Sequence, residues 1–171
     1  LMDQALASKV ALVTGAGRGI GRNIALGYAR AGARLCISAR AQDEIAATAQ
    51  TIVDSGGQAI AVQADVTCEN QVAKMVAETV ATFGGLDILV ANAGVHICRD
   101  PVAASDPKAW WQTLETNLLG AYLCCRAAIP KMKENGGGQI VNTASIAGTT
   151  GQGSSIAYSA SKAGIICMTQ S

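Results

Sequence analysis

Five short apolar runs punctuate the chain, at residues 9–14 (KVALVT), 34–38 (RLCIS), 59–63 (AIAVQ), 86–91 (LDILVA) and 139–143 (QIVNT). Runs that stay apolar without alternating mark strands buried on both faces of a parallel sheet. Segments of helical period lie between and after them, at 21–31, 44–54, 69–83, 107–133 and 155–170. In the third of these, Val72, Val76 and Val80 fall on one face. Strand and helix in alternation are the βαβ pattern of a three-layer α/β domain. No repeat, low-complexity tract or linker interrupts the pattern, so residues 1–171 read as a single domain.

Composition narrows the function classes. Half of the 171 residues are hydrophobic and only 15% are charged, which excludes a disordered chain and suits one domain with a sizeable core. A net charge of +1 without any Lys/Arg cluster argues against nucleic acid as a partner. No apolar run approaches the ~20 residues of a membrane span, so no membrane partner is expected. His96 is the single histidine and none of the six cysteines forms a CxxC pair, so no metal site is expected. Cys36, Cys68, Cys98, Cys124, Cys125 and Cys167 read as reduced, mostly buried thiols in a reducing, cytoplasmic compartment.

The first run leads into Thr14-Gly15-Ala16-Gly17-Arg18-Gly19-Ile20-Gly21, with a helical segment behind it. Glycines there let the backbone turn sharply and approach a pyrophosphate without Cβ clashes. The helix N-terminus adds free N–H groups and the positive end of a dipole. The spacing is TGxxxGxG rather than GxGxxG, and no Gly-Lys-Ser/Thr follows to make a P-loop. About twenty residues beyond the glycines, an NAD site usually carries a carboxylate for the ribose 2′-hydroxyl. This chain has Ala39 and then Arg40. A guanidinium can grip a 2′-phosphate that a carboxylate would repel, and Arg18 brings a second positive charge. NADP is the favoured cofactor, with NAD the alternative; the competing reading leaves both arginines as solvated surface charges. The missing acid also counts against a methyltransferase.

Asp65, just past the third run, can accept a bond from an adenine amino group; alternatively it or Thr67 caps the next helix. Asn92, in the ANAG of 91–94, can tie two strand ends together, with Ala93 and Gly94 leaving room for a ribose. The plainer reading there is a strand-to-loop turn. Ser145 closes the fifth run, and Tyr158 and Lys162 follow at i, i+4 on the last helical segment, hence on one face. An ammonium beside a phenol stabilises the phenolate and lowers its pKa from about 10. Such a tyrosine can exchange a proton with a carbonyl or alcohol oxygen near neutral pH, and Ser145 can hydrogen-bond the same oxygen. A bound hydride donor would complete the chemistry. His96, at the mouth of the expected cleft, either touches substrate or is a plain loop histidine; the second reading is preferred.

Taken together, TGAGRGIG at 14–21, ANAG at 91–94, Asn117, Ser145 and YSASK at 158–162 resemble the short-chain dehydrogenase/reductase family. The resemblance implies a Rossmann-type, doubly wound parallel sheet of order 3-2-1-4-5, continued by C-terminal strands that this sequence lacks. It implies Tyr158 as general acid/base, Lys162 tuning it and bonding the nicotinamide ribose, Ser145 orienting the substrate oxygen, and Asn117 holding a water that links Lys162 to solvent. Cofactor contacts fall by the same match to Thr14, Gly15, Arg18, Gly19, Ile20, Gly21, Asp65, Val66, Asn92, Ala93 and Gly94, beside Arg40. The implied function is an oxidoreductase passing a hydride between NADP(H) and a small alcohol/ketone pair. The alternative is a non-catalytic dinucleotide-binding module or an inactive fragment. Family members commonly pair through the helices that carry Asn117 and Tyr158, so a homodimer or homotetramer is expected of the full-length form. The last helical segment reaches Ser171 without a cap, Gly or Pro, and a sheet ending at the fifth run would expose an apolar edge. The sequence is therefore expected to be truncated at both ends, and the chain on its own to be poorly stable and inactive.

Overall fold

A computed structural model describes residues 4–151 and 155–171. Its strands are β1 (Val10–Thr14), β2 (Arg34–Ala39), β3 (Gln58–Gln63), β4 (Ile88–Ala91) and β5 (Gln139–Asn142), all within a residue or two of the apolar runs. They form one parallel sheet in the order β3-β2-β1-β4-β5. The architecture is the Rossmann-like one that the motifs implied.

The period of the strand explains the two cores. Val10, Leu12, Cys36 and Leu89 point to one face. There they meet α3 (Glu69–Phe83) and α5 (Gly120–Glu134) through Met75, Val76, Cys124 and Met132. The residues between them, Ala11, Val13, Leu35, Ile37 and Val90, point the other way. They pack against α1 (Gly19–Arg30) and α2 (Gln42–Asp54) through Ala25, Ile45 and Ile52. A central strand is covered on both sides, which is why its sequence is apolar without alternation. β5 pairs only with β4 among the described residues, and its burial alternates between half-buried and exposed positions.

The long helical segment expected at 107–133 is not one regular helix. Helix α4 (Pro107–Leu114) starts with Asp106 accepting a hydrogen bond from the Lys108 N–H and with Pro at its first position. A π-helical turn over Glu115–Leu119 then widens the backbone before α5 begins. Such turns shift the register of every later side chain and recur at functional sites. A short helix α6 (Ala147–Thr150) and then α7 (Ile156–Gln170) complete the chain, the latter with Ser155 capping the Tyr158 N–H.

Two cysteines sit where a charge is poorly tolerated: burial pushes the thiols of Cys36 and Cys124 up to about 12. The thiolate is the reactive form. In native protein at about pH 8, both should therefore resist a disulfide-exchange reagent while exposed Cys167 is labelled first. Peptide mapping of the labelled thiols checks this, and prompt labelling of Cys36 would contradict the packing.

Candidate active site

In a parallel sheet all carboxyl ends lie along one edge, and ligands bind beside the point where strand order reverses. That point lies between β1 and β4. A cleft of about 560 Å³ opens there, lined by residues that follow each of the five strands.

The glycine turn forms its floor. Thr14 ends β1 fully buried, with its Oγ1 accepting from the N–H of Asn92 at 3.0 Å and of Ala93 at 3.1 Å. Gly15 and Gly19 take left-handed φ values of 64° and 57°, which suit glycine. A Cβ on Gly21 would stand 2.4 Å from the Gly15 carbonyl oxygen, so the first turn of α1 approaches the strand end as only glycine allows. No side chain caps the N-terminus of α1. Its first N–H groups and positive dipole end are left for an anion, and a Cβ at Gly19 would find nothing within 4 Å. These features fit the pyrophosphate of a dinucleotide.

At the β2–β3 end, Arg40 reaches to within 4.0 Å of Asp65. The Asp65 carboxylate also accepts from the Thr67 N–H at 2.9 Å and from its hydroxyl at 2.8 Å. Cys68 is the N-cap residue of α3 and makes no side-chain cap bond, so neither Asp65 nor Thr67 plays that part. Arg18 is exposed on the glycine turn.

Asn92 ties three strand ends. Its Nδ2 donates to the Thr14 carbonyl at 3.0 Å, and its Oδ1 accepts from the Thr143 hydroxyl at 3.3 Å. Beyond it, the backbone of Val95 is clamped by Asn117. Oδ1 of Asn117 accepts from the Val95 N–H at 2.7 Å, and Nδ2 donates to the Val95 carbonyl at 2.9 Å and to Ser161 Oγ at 3.0 Å. The π turn places Asn117 for this, buried to 1% exposure.

Tyr158 and Lys162 stand one turn apart on α7, and the Lys162 Nζ lies 5.5 Å from the Tyr158 ring centroid. Lys162 is only 4% exposed and donates to the Thr143 carbonyl at 2.6 Å. None of the ion pairs among the described residues includes it. Burial pushes its amine below the usual value of 10.5. The ring of His96 packs on that of Tyr158 with centroids 4.7 Å apart.

The sequence candidates thus separate into two groups. Gly15, Arg18, Ile20, Gly21, Arg40, Asp65, Val66, Asn92, Ala93, Gly94, Tyr158 and Lys162 line the cleft. Thr14, Gly19, Asn117 and Ser145 do not; Thr14 and Asn117 brace it from behind, and Ser145 Oγ accepts from the Ala147 N–H at 3.2 Å, at the start of α6. Thr143, Ser161 and Glu44 enter the constellation without a sequence signal that singled them out for it, whereas His96, expected at the cleft mouth and read by preference as a plain loop histidine, lines the cleft against Tyr158.

The family model described as short chain dehydrogenase matches residues 9–171. The chain belongs to this family. It is 41% identical to a cis-4-hydroxycyclohexanecarboxylate dehydrogenase of Sinomonas cyclohexanicum, over 99% of this chain and 68% of that protein. A 3-oxoacyl-[acyl-carrier-protein] reductase, FabG, of Staphylococcus aureus is 39% identical over 96% of this chain and 67% of that protein. Among solved structures, a 3-ketoacyl-ACP reductase from Sinorhizobium meliloti 1021 superimposes with a TM-score of 0.92 at 42% identity, over 94% of this chain and 64% of that one. The chain therefore spans about two thirds of the length of these relatives. The family is one of oxidoreductases that use NAD(P). No helix among the described residues is long and apolar enough to cross a membrane.

The buried amine has a thermodynamic signature. Because the native state disfavours its charged form, the unfolded chain holds that proton more tightly. The penalty is fully present below the lowered pKa and is relieved as pH rises toward 10.5. Relative to Lys162→Met, which has no amine to titrate, the natural protein should gain stability between about pH 7 and about pH 10. Urea unfolding of both proteins at the two pH values measures this; a stability difference that stays flat or shrinks contradicts the burial.

Proposed function

We propose that the protein is an NADP-dependent oxidoreductase that interconverts a small alcohol and a ketone, with Tyr158 as general acid/base. The observation that carries this reading is the buried Lys162 ammonium beside the Tyr158 ring, on the wall of the cleft that the glycine turn enters. Both named relatives are enzymes of this redox class, one a dehydrogenase of a hydroxy acid and one a reductase of an oxoacyl group. The preference for NADP rests on Arg40 and Arg18 and on Ala39 in place of an acid; NAD is the alternative.

When bound, the reduced nicotinamide supplies a hydride to the carbonyl carbon. The residues of the chain manage the oxygen. In the reducing direction, the Tyr158 hydroxyl gives its proton to the oxygen on which negative charge develops, and the neighbouring Lys162 ammonium stabilises the phenolate left behind. In the oxidising direction the proton returns by the same path. Ser145 stands beside the cleft lining rather than in it, and its hydroxyl proton, which the bond accepted from Ala147 does not use, would turn toward the substrate oxygen. Asn117 holds Val95 and Ser161 around the pair; the water link to Lys162 that the resemblance implies needs an acceptor site beyond those bonds. Gly15, Gly19, Ile20 and Gly21 receive the pyrophosphate, Thr14 and Asn92 keep the turn in place, and Ala93, Gly94, Asp65 and Val66 flank the nucleosides. No metal enters this scheme.

The reading extends to assembly. Tyr122 and Leu119 on the π turn and α5, and Ile156 on α7, are 48%, 42% and 43% exposed, an apolar cost that pairing of two copies would remove. Light scattering on the full-length form should give a dimer or tetramer; a monomer at micromolar concentration contradicts the assembly.

Tyr158→Phe removes the phenolic hydroxyl that carries the transferable proton and leaves the ring in place. It should lower turnover by roughly 10²–10⁴-fold, the usual weight of general acid–base catalysis, while the Kd for the dinucleotide stays unchanged. Full turnover by the variant sinks the assignment of Tyr158.

A further inference from the structure

Ala39 leaves the end of β2 without the acid that reads a ribose 2′-hydroxyl. A carboxylate reaches the same end of the cleft from a different element. Glu44 belongs to the first turn of α2, one turn beyond the β2 end. Its side chain leans over the glycine turn: a Cβ built on Gly17 would stand 2.7 Å from Glu44 Cβ and 2.9 Å from its Oε2. Glu44 lines the cleft together with Arg18, Arg40 and Asp65. No ion pair among the described residues joins Glu44 to either arginine, and Arg40 leans instead toward Asp65. Asp43, its neighbour in the same turn, is not part of the cleft wall.

Two guanidinium groups and two carboxylates therefore face this end of the cleft, and their formal charges cancel. A 2′-phosphate brought here gains from Arg18 and Arg40 and is opposed by Glu44. A 2′-hydroxyl has no such conflict, because a carboxylate accepts its proton directly. We propose that Glu44 is a cofactor-specificity residue, which accepts a hydrogen bond from the ribose 2′-hydroxyl of NAD and repels the 2′-phosphate of NADP. It opposes Arg40, so that the site takes both dinucleotides with a narrow preference. This rests on the dinucleotide reading of the cleft made above.

The test is equilibrium binding of NADP⁺ and NAD⁺, by calorimetry, to the natural protein and to Glu44→Gln, Glu44→Lys and Arg40→Ala. Glu44→Gln should tighten NADP⁺ by about tenfold, the scale Coulomb's law gives for a dianion several ångströms from a carboxylate in a water-facing cleft, and should weaken NAD⁺. Glu44→Lys should move both constants further in the same directions, and Arg40→Ala should move NADP⁺ the opposite way. Added salt should shrink the Glu44→Gln effect on NADP⁺. An unchanged ratio of the two constants in Glu44→Gln and Glu44→Lys, with both dinucleotides still bound, overturns the role of Glu44 alone. Failure of the natural protein to bind either dinucleotide overturns the reading of the cleft and this inference with it.

Discussion

A single hydrogen-bonded chain runs across the reversal point of the sheet, from the glycine turn to the buried amine. The Thr14 hydroxyl holds the backbone of Asn92, the Asn92 carboxamide holds Thr14 and Thr143, and the Thr143 carbonyl receives the Lys162 ammonium. Three strands and one helix are joined by groups that would otherwise be polar and underground in an apolar sheet. Leaving any one of them without its partner costs about 1–3 kcal/mol, so the links enforce one another. The floor that would take a pyrophosphate and the wall that would handle a proton are thus parts of one rigid unit. Catalytic groups need this kind of support, since an ångström of slack weakens them.

The two ends of the cleft differ in charge. At the α7 end stands Lys162, which no carboxylate pairs with among the described residues. Its burial is unfavourable for a charged group, and the fold offsets this with one short bond to the Thr143 carbonyl, just past the end of β5, and an adjacent π face. An uncompensated positive charge of this kind would favour an anion placed beside it, which is the property that the proposed proton transfer uses. At the β2–β3 end, two arginines and two carboxylates balance, and the cofactor selectivity proposed for it would be a small difference between opposing terms. Small differences are easily reset by one substitution, whereas the lone charge at the other end is not.

His96 and Asn117 show how neighbouring elements enter this arrangement. The loop after β4 passes over α7, and the clamp of Asn117 on both polar groups of Val95 fixes its path. One residue further on, the His96 ring lies against Tyr158. The π turn is what lets a polar side chain point inward here while the apolar positions of α4 and α5 keep their faces toward the sheet and α7.

Much of the fold is legible in the sequence. β1 is apolar at every position because both of its faces are covered, and that cause leaves its trace in the sequence; helix 69–83 was readable from Val72 and Val76 at helical spacing. The Tyr158–Lys162 pair was legible for the same reason, since one helical turn fixes their shared face. The break in the 107–133 helix was not, because a π turn preserves helical composition and changes only the bonding register. The sequence places Ser145 just past the fifth apolar run, whereas the bond it accepts from Ala147 comes from α6, a short helix with no sequence signal. Local spacing thus determined which residues share a strand end or a helix face, because those distances are set by backbone geometry within a few residues. The tertiary structure alone decided that Thr143 receives Lys162, that His96 meets Tyr158 and that Glu44 overhangs Gly17, because those contacts join residues far apart in the chain and depend on how the helices seat on the sheet.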